Sequence, residues 1–540
     1  MYPSMCTSRR SSSNMCSTRF CHQIISISKP YFKELQHQFA STVGDASDAS
    51  RRLLGAFVGT VFLISHQPLR STEGNFAPVD EIGKITEILD IAGEIPTNFP
   101  EGVYIRNGNL SKAPAILIET SQSCSRIRWP ACCGMQVRTL SLEPSTRQTP
   151  SSASPMTFGL KEKACHALYF TKSSNNTWSI SYNNRYVQSD TFRLEKGLKK
   201  PCFPPTTDGD PTAILISGVL NNLRFRKAFK NMSNTSVFEH AGRIFSAAEN
   251  DNPNEIDLYS LDTLGTWNVD GGWKMAFTAH PKLLIFGFSV DKPFLTVGIV
   301  SANGNKLKRK VAIELERCTY CHEIGVTATL IEFEKDSYAR IGVMPRQDDT
   351  NSIIWFYVQP FCTIQIVNCF EKDDEVVVRG FHVPASIILG PRLDNMTKES
   401  TNGGLNDEYF SRLYEWRLNL KTRTIAGKYL TSTEIALEFP VINGKYVGLS
   451  HSTQAEDLIN VEYHHLDRNQ FCSGATFVPK GDGTSEDDGW LISFVHDEET
   501  NKSRVHIINT RRFEHGPIAK ITLPQRVPYG FHGTYVSKSA

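Results

Sequence analysis

From about Gly102 onward, Gly, Pro, Asn and Asp break the sequence every few residues. The runs between them are short and rich in β-branched and aromatic residues: TWSISYNNRYV, VFEHAGRIFSAAE, FLTVGIVSANGNKL, KVAIELERC, SIIWFYV, EVVVRGF and GWLISFVHDEETNKSRVHIINTRRF. Runs of this length and composition read as strands, and turn chemistry such as Glu239-His240-Ala241-Gly242 and Ala302-Asn303-Gly304 joins several of them into hairpins. The chain is therefore expected to be mainly β, with the spacing of meanders or propeller blades. No self-similar repeat marks out blades, so the spacing permits a propeller without demonstrating one.

With 540 residues, 40% of them hydrophobic and 21% charged, the chain can bury a large core, as one big β domain or as two or three ordinary ones. A net charge of +2, with no Lys/Arg stripe interleaved with aromatics, excludes nucleic acid as the expected partner. The thirteen cysteines are odd in number and lack framework spacing, and no apolar segment of secretory type follows the first basic residues. Reduced thiols are expected, and sequons such as Asn234-Thr235-Ser236 and Asn395-Met396-Thr397 matter only in a secreted chain.

The first 33 residues contain no acid, carry Arg9, Arg10 and Arg19, and are rich in serine. That is transit-peptide composition, and residues 1–46 are read as a disordered leader ahead of one domain spanning 47–540. At 47–67, Ser47 or Ser50 can cap a helix in which Leu53, Leu54, Phe57, Val58, Val61, Phe62 and Ile64 recur at helical spacing. Its apolar part is about a dozen residues, short of the roughly 20 that span a bilayer, so core packing or peripheral membrane contact is expected. Residues 109–164 lose strand periodicity and gather Ser, Thr and Pro, which reads as a long irregular loop.

Of the fifteen histidines, three have a distinctive setting: His280 in FTAHPK, His322 in CTYCHEIGV and His532 in VPYGFHGTYV. Each lies beside Pro or Gly, or ahead of a glycine, at an expected strand end. Imidazoles converging from separate strand ends could hold a divalent metal, although each taken alone reads as a hydrogen-bonded structural histidine rather than a ligand. Cys318–His322 also matches the haem-attachment pattern, but it follows the strand-like VAIELER, and no second C-x-x-C completes a zinc ribbon. No nucleophile elbow, P-loop or dinucleotide fingerprint occurs. The acidic run GDGTSEDDG, 481–489, lacks EF-hand ligand spacing and reads as a solvated hairpin turn.

FPEGVYIRNG (99–108), VFEHAGRIFSAAEN (237–250), FTAHPK (277–282), CHEIGV (321–326), EDDGWLISFVHDEE (486–499) and LPQRVPYGFHGTYV (523–536) together resemble plant carotenoid cleavage dioxygenases, in detail the 9,10-cleaving type and its zaxinone-synthase-like relatives. The likeness covers most of 47–540. It implies a seven-bladed β-propeller with a helical cap, and four histidines holding Fe2+ on the axis, where O2 cleaves a double bond of an apolar polyene to two carbonyl products.

Carried over by position, His280, His322 and His532 match three of the iron ligands, while the fourth position, third in chain order, is Gln365 in FCTIQIVNCF. Glu249 and Glu438 match carboxylates that orient ligand imidazoles, and the position of a third such carboxylate is Gly474. His382 is the nearby histidine that could substitute for Gln365, but it lies 17 residues downstream on another expected strand.

Residues 109–164 stand where relatives carry first-blade strands, their Asp/Glu-Gly-Met-x-His segment is reduced here to LKEKACHALYF, and 327–338 is a shortened connection, so the first blade and the blade around 327–338 are expected to be incomplete. The resemblance implies a plastid location, stromal or membrane-associated, with the cytosol as the alternative. It leaves three functions open: an Fe2+ dioxygenase impaired or not by Gln365, a non-catalytic polyene-binding paralogue, and a propeller used for protein contacts alone.

Overall fold

The computed structural model describes residues 74–108, 123–128, 134–139, 164–199, 201–203, 211–279, 284–289, 292–315, 338–344, 352–363, 365–384, 411–431, 437, 439–449 and 460–538. The leader expected at 1–46, the helix expected at 47–67, and His280, His322 and Glu438 lie outside them.

Two compact units emerge. The smaller contains helix α2 (Pro211–Phe225), which opens on a proline at the position where a missing N–H is harmless. In it Asn221 Nδ2 donates to Cys202 O at 2.9 Å, and the Phe203 and Phe225 rings lie 5.7 Å apart. The larger unit is mainly β, and its one described α-helix is α1 (Asp190–Leu198). Ser189 caps α1 by accepting the Phe192 N–H at 3.2 Å, Asp190 lies in its first turn, and Lys199 ends it in the left-handed conformation. Among the described residues no helix is long and apolar enough to cross a membrane.

The strands form a β-propeller. One five-stranded sheet runs in the order Thr86–Ile88, Trp178–Tyr186, Ala164–Lys172, Gly102–Asn107, Gly533–Ser537, so the end of the chain pairs antiparallel with an early strand. In that closing pair Gly533 faces Arg106 and Ser537 faces Gly102. Four more sheets of three to five strands are meanders, from Ser236–His240 to Thr263–Thr266, Leu284–Phe288 to Leu307–Ile313, Ile366–Lys372 to Ile425–Tyr429, and Gln470–Pro479 to Ala519–Thr522. The last takes Ile91–Gly93 as its outer edge.

The expected seven blades and helical cap need correction: the described residues show five blades and two α-helices. Two smaller sheets remain. The one after 327–338 is a two-stranded ribbon, Ala339–Val343 with Ile354–Val358. The other falls partly in 109–164, which lacks strand periodicity in sequence: Ser123–Arg128 and Gly134–Thr139 pair as a hairpin, and Ser123–Arg128 also pairs with Asn460–His465. Pairing across more than 300 positions of chain leaves no local signal.

Blade packing explains why Ala164–Phe170 is buried without alternation. Tyr104, Leu168, Phe170 and Tyr182 face Trp490, Ile492, Phe494 and Ile507 of the last blade, whereas Val103, Ile105, Ala167 and Tyr169 face Val237, Ile244 and Ile256 of the next. Period-two alternation sends successive side chains to opposite faces, but in a propeller both faces are core.

Within the blade Ile366–Tyr429, Arg379 sits opposite Glu415 and its Nε donates to Glu415 Oε2 at 2.8 Å; Arg417 Nε reaches the other oxygen at 2.9 Å. Burial pushes the Glu415 carboxyl up, but the Arg379 and Arg417 guanidiniums outweigh it and hold the group below 4.5. A depressed carboxyl stabilises the fold above its unfolded value, and that contribution disappears as pH falls through the folded value. Glu415→Gln, which leaves the Arg379 charge buried without its carboxylate, should cost about 3–5 kcal/mol in urea unfolding at neutral pH. The wild-type advantage over the variant should shrink as the same titration is repeated below pH 4.5.

Candidate metal centre

The donor positions stand at the starts of inner-edge strands: His532 immediately precedes Gly533–Ser537, and Gln365 immediately precedes Ile366–Lys372. A residue entering an inner strand has its main chain fixed by the blade while its side chain is free to point at what the blades surround. The His532 N–H donates to Thr235 O at 3.2 Å, and His532 O accepts from the Val237 N–H at 3.4 Å, forming a parallel bridge between His532 and Ser236. Gln365 O accepts from the Phe381 N–H at 3.1 Å. Blades distant in sequence therefore bring the two side chains together.

Gln365 is 4% exposed, and its Nε2 lies 2.9 Å from His532 Nε2. Among the described residues its Oε1 is buried with no hydrogen-bond partner. The amide N–H can donate to the imidazole lone pair in the tautomer protonated at Nδ1. Two ligand atoms at right angles on a metal with bonds of about 2.1 Å stand about 3 Å apart, so the spacing is also that of neighbouring donors. Half a turn about the last side-chain torsion presents Oε1 in place of Nε2. An orphaned buried carbonyl oxygen beside the nitrogen through which an imidazole binds metal fits a divalent cation. Phe439, in contact with Phe531, turns its ring edge-on to His532 at 5.7 Å and covers that side of the imidazole.

Glu249 is half-buried, and its Oε2 accepts from Thr235 Oγ1 at 3.0 Å. Burial lifts its carboxyl, partly offset by its own backbone N–H and by Thr235. Thr235 thus connects Glu249 to the main chain of His532.

Gly474 takes φ +60° at a bulge in Gln470–Pro479, where a Cβ would run into Phe531 O and meet Arg106 Cδ at 2.9 Å. The position that the resemblance matches to a third orienting carboxylate thus leaves no room for a Cβ.

His382 lies in an aromatic cluster, its Nδ1 2.9 Å from Tyr429 Oη and its ring stacked on Phe361 and Tyr414. Burial, then Arg412, lowers its imidazole to about 4. His166, from LKEKACHALYF, is buried with Nδ1 2.7 Å from Tyr182 Oη. The acidic run 481–489 is only partly the solvated turn expected, because Glu486 is 2% exposed and burial, then Asp487, raises its carboxyl to about 8. Among the described residues no three His, Cys, Asp or Glu side chains group as a metal cluster.

Sequence reasoning missed Thr235 and Ser236, which it read only as part of a sequon. Asn234, Thr235 and Ser236 are 6%, 7% and 4% exposed. The available signal was their place directly before the strand-like VFEH.

The chain matches the family model described as Retinal pigment epithelial membrane protein (RPE65) over residues 163–331 and 327–537, and it belongs to that family. Among the curated proteins it is similar to plant carotenoid cleavage dioxygenases. It is 28% identical over 432 residues to the carotenoid 9,10(9',10')-cleavage dioxygenase 1 of Pisum sativum, covering 66% of this chain and 77% of that protein. It is 25% identical to the chloroplastic 9-cis-epoxycarotenoid dioxygenase NCED2 of Oryza sativa subsp. japonica, covering 87% and 85%. Its fold is that of the Pseudomonas brassicacearum lignostilbene dioxygenase, with TM-score 0.63, 18% identity and coverage of 87% and 99%. It is likewise that of cobalt-substituted Synechocystis ACO, with TM-score 0.61, 16% identity and coverage of 85% and 96%.

The Gly474 geometry has a measurable consequence. Gly474→Ala should lower stability by about 1–3 kcal/mol or more from the left-handed backbone alone, and Gly474→Glu should lose at least as much without restoring a carboxylate to the site. Thermal unfolding that matches wild type for Gly474→Ala would show that the close approach of Phe531 does not hold.

Proposed function

We propose that this protein is an Fe2+-dependent dioxygenase that cleaves a double bond of a carotenoid or apocarotenoid to two carbonyl products. The observation that carries the reading is the buried Gln365 carboxamide at 2.9 Å from His532 Nε2, at the entry to two inner strands. His532 and Gln365 would hold the metal, with His280 and His322 completing the set that the family resemblance implies. Iron held by neutral donors supplies a site where O2 and the polyene double bond react.

The chain's own residues do the rest. The bridge to Ser236 fixes the height of His532, and Phe439, part of a cluster with Phe76, Phe471 and Tyr529, keeps water from the imidazole and offers an apolar wall suited to a hydrocarbon. Glu249 supports the strand entry through Thr235, and Glu438 is assigned the role of orienting an imidazole N–H. Carboxamide oxygen is a weaker donor to Fe2+ than imidazole, so the iron is held less tightly than by four histidines.

The 2.9 Å amide–imidazole contact also supports a second reading, a polyene-binding paralogue without turnover, in which Gln365 occupies the His532 lone pair. The leader composition of residues 1–46 and the chloroplastic names of rice relatives support a plastid location, with 47–67 resting on a membrane surface.

Metal affinity and polyene cleavage by Gln365→His and Gln365→Leu test the reading. Gln365→His should raise Fe2+ affinity about tenfold or more and increase product formation from an apocarotenoid in detergent micelles. Gln365→Leu should lose both. A Leu variant that binds iron more tightly than wild type would show that Gln365 competes with the metal, and wild type holding no iron after anaerobic loading would end the dioxygenase reading.

A further inference from the structure

Ser236 stands where three segments of the propeller meet. Its main chain bridges His532, its hydroxyl donates to Ala279 O, and its own carbonyl accepts from Asn107 Nδ2 at 3.1 Å. The Ala279 carbonyl belongs to the peptide bond that leads into His280. Ser236 is 4% exposed and Ala279 0%, so no water replaces the hydroxyl if it is removed. Asn107 is itself held, donating to Ser246 Oγ at 3.2 Å and accepting from Cys165 Sγ at 3.1 Å.

We propose that Ser236 is a positioning residue of the metal centre: the main chain on either side of it holds the His532 segment and its hydroxyl holds the carbonyl of Ala279, the residue before His280 in sequence, so one buried serine ties together two segments that carry proposed donors. The inference rests on the metal-centre reading and deepens it. Donors on separate blades have no covalent constraint between them, and a small error in their spacing weakens every bond to the ion. The serine supplies one side-chain bond, and Thr235 and Val237 on either side of it supply the two main-chain bonds to His532. Ser236 does not touch the metal or the substrate in this account; it acts through the two segments.

The test uses the full chain and cobalt(II) as probe, with affinity read by competition against a chelator and geometry read from the visible ligand-field bands. Ser236→Ala should lose cobalt affinity about tenfold or more and shift the bands. Ser236→Thr, which keeps the hydroxyl, should stay close to wild type in both. Thr510→Ala removes an equally buried hydroxyl whose proton is shared between Asp487 O and Gly489 O, neither of them in a donor segment, and should lose stability while leaving affinity and bands unchanged. Should Ser236→Ala fail to fold, Ser236→Cys, of similar volume but with a weak donor, carries the same expectation.

Ser236→Ala with wild-type affinity and bands overturns the inference, and so does an equal loss of affinity in Thr510→Ala. Wild type that takes up no cobalt overturns the metal-centre reading and this inference with it.

Discussion

The antiparallel pairing of Gly533–Ser537 with Gly102–Asn107 is the constraint on which the rest of the propeller depends. It joins residues more than 400 positions apart, closes the ring of blades, and places His532 at the mouth of an inner strand. The buried Arg106, in the same early strand, fastens the turn beside it. Its guanidinium donates to Ser473 Oγ at 2.6 Å and Pro528 O at 2.7 Å and lies over the Phe494 ring. A charge withdrawn from water is costly unless acceptors meet it, and these two acceptors come from the two ends of the last blade's path. Closure and site geometry thus share the same residues.

In small metal-organised domains ligand binding supplies the folding energy. Here the blades bury Tyr104, Trp490, Phe494 and their neighbours on one face and Val103, Ile105 and Val237 on the other. A carboxamide can therefore replace an imidazole at position 365 without loss of the fold. What changes is the chemistry at the centre: Gln365 can accept a hydrogen bond, donate one, or offer oxygen to a cation, whereas a histidine held by its Nδ1 offers a single lone pair.

Much of this was legible in the sequence, for physical reasons that differ from element to element. The hairpins could be read because turns are local: Glu239-His240-Ala241-Gly242 joins Ser236–His240 to Arg243–Ala247, and Ala302-Asn303-Gly304 joins Leu295–Val300 to Leu307–Ile313. The closing pair could not be read, since nothing in Gly102–Asn107 announces a partner at the far end of the chain. His532 and Gln365 were singled out by resemblance, and their proximity is a property of the tertiary structure alone. Glu486 was misread because an acidic run looks solvated until the strand after it pulls one carboxyl inward.

The Asn234-Thr235-Ser236 tripeptide shows the same limit most sharply. As a string it is a glycosylation acceptor; in the fold it is a buried junction, and no glycan could reach it. Small polar residues directly before an inner strand have a physical use there. They can donate to oxygens of nearby segments, as Thr235 does to the Glu249 carboxylate and Ser236 to the Ala279 carbonyl. In the proposed metal centre the donors stand on separate blades, and such hydroxyls can tie those blades together. A search of this sequence for histidines and acids finds the candidate donors and passes over the groups that hold their segments.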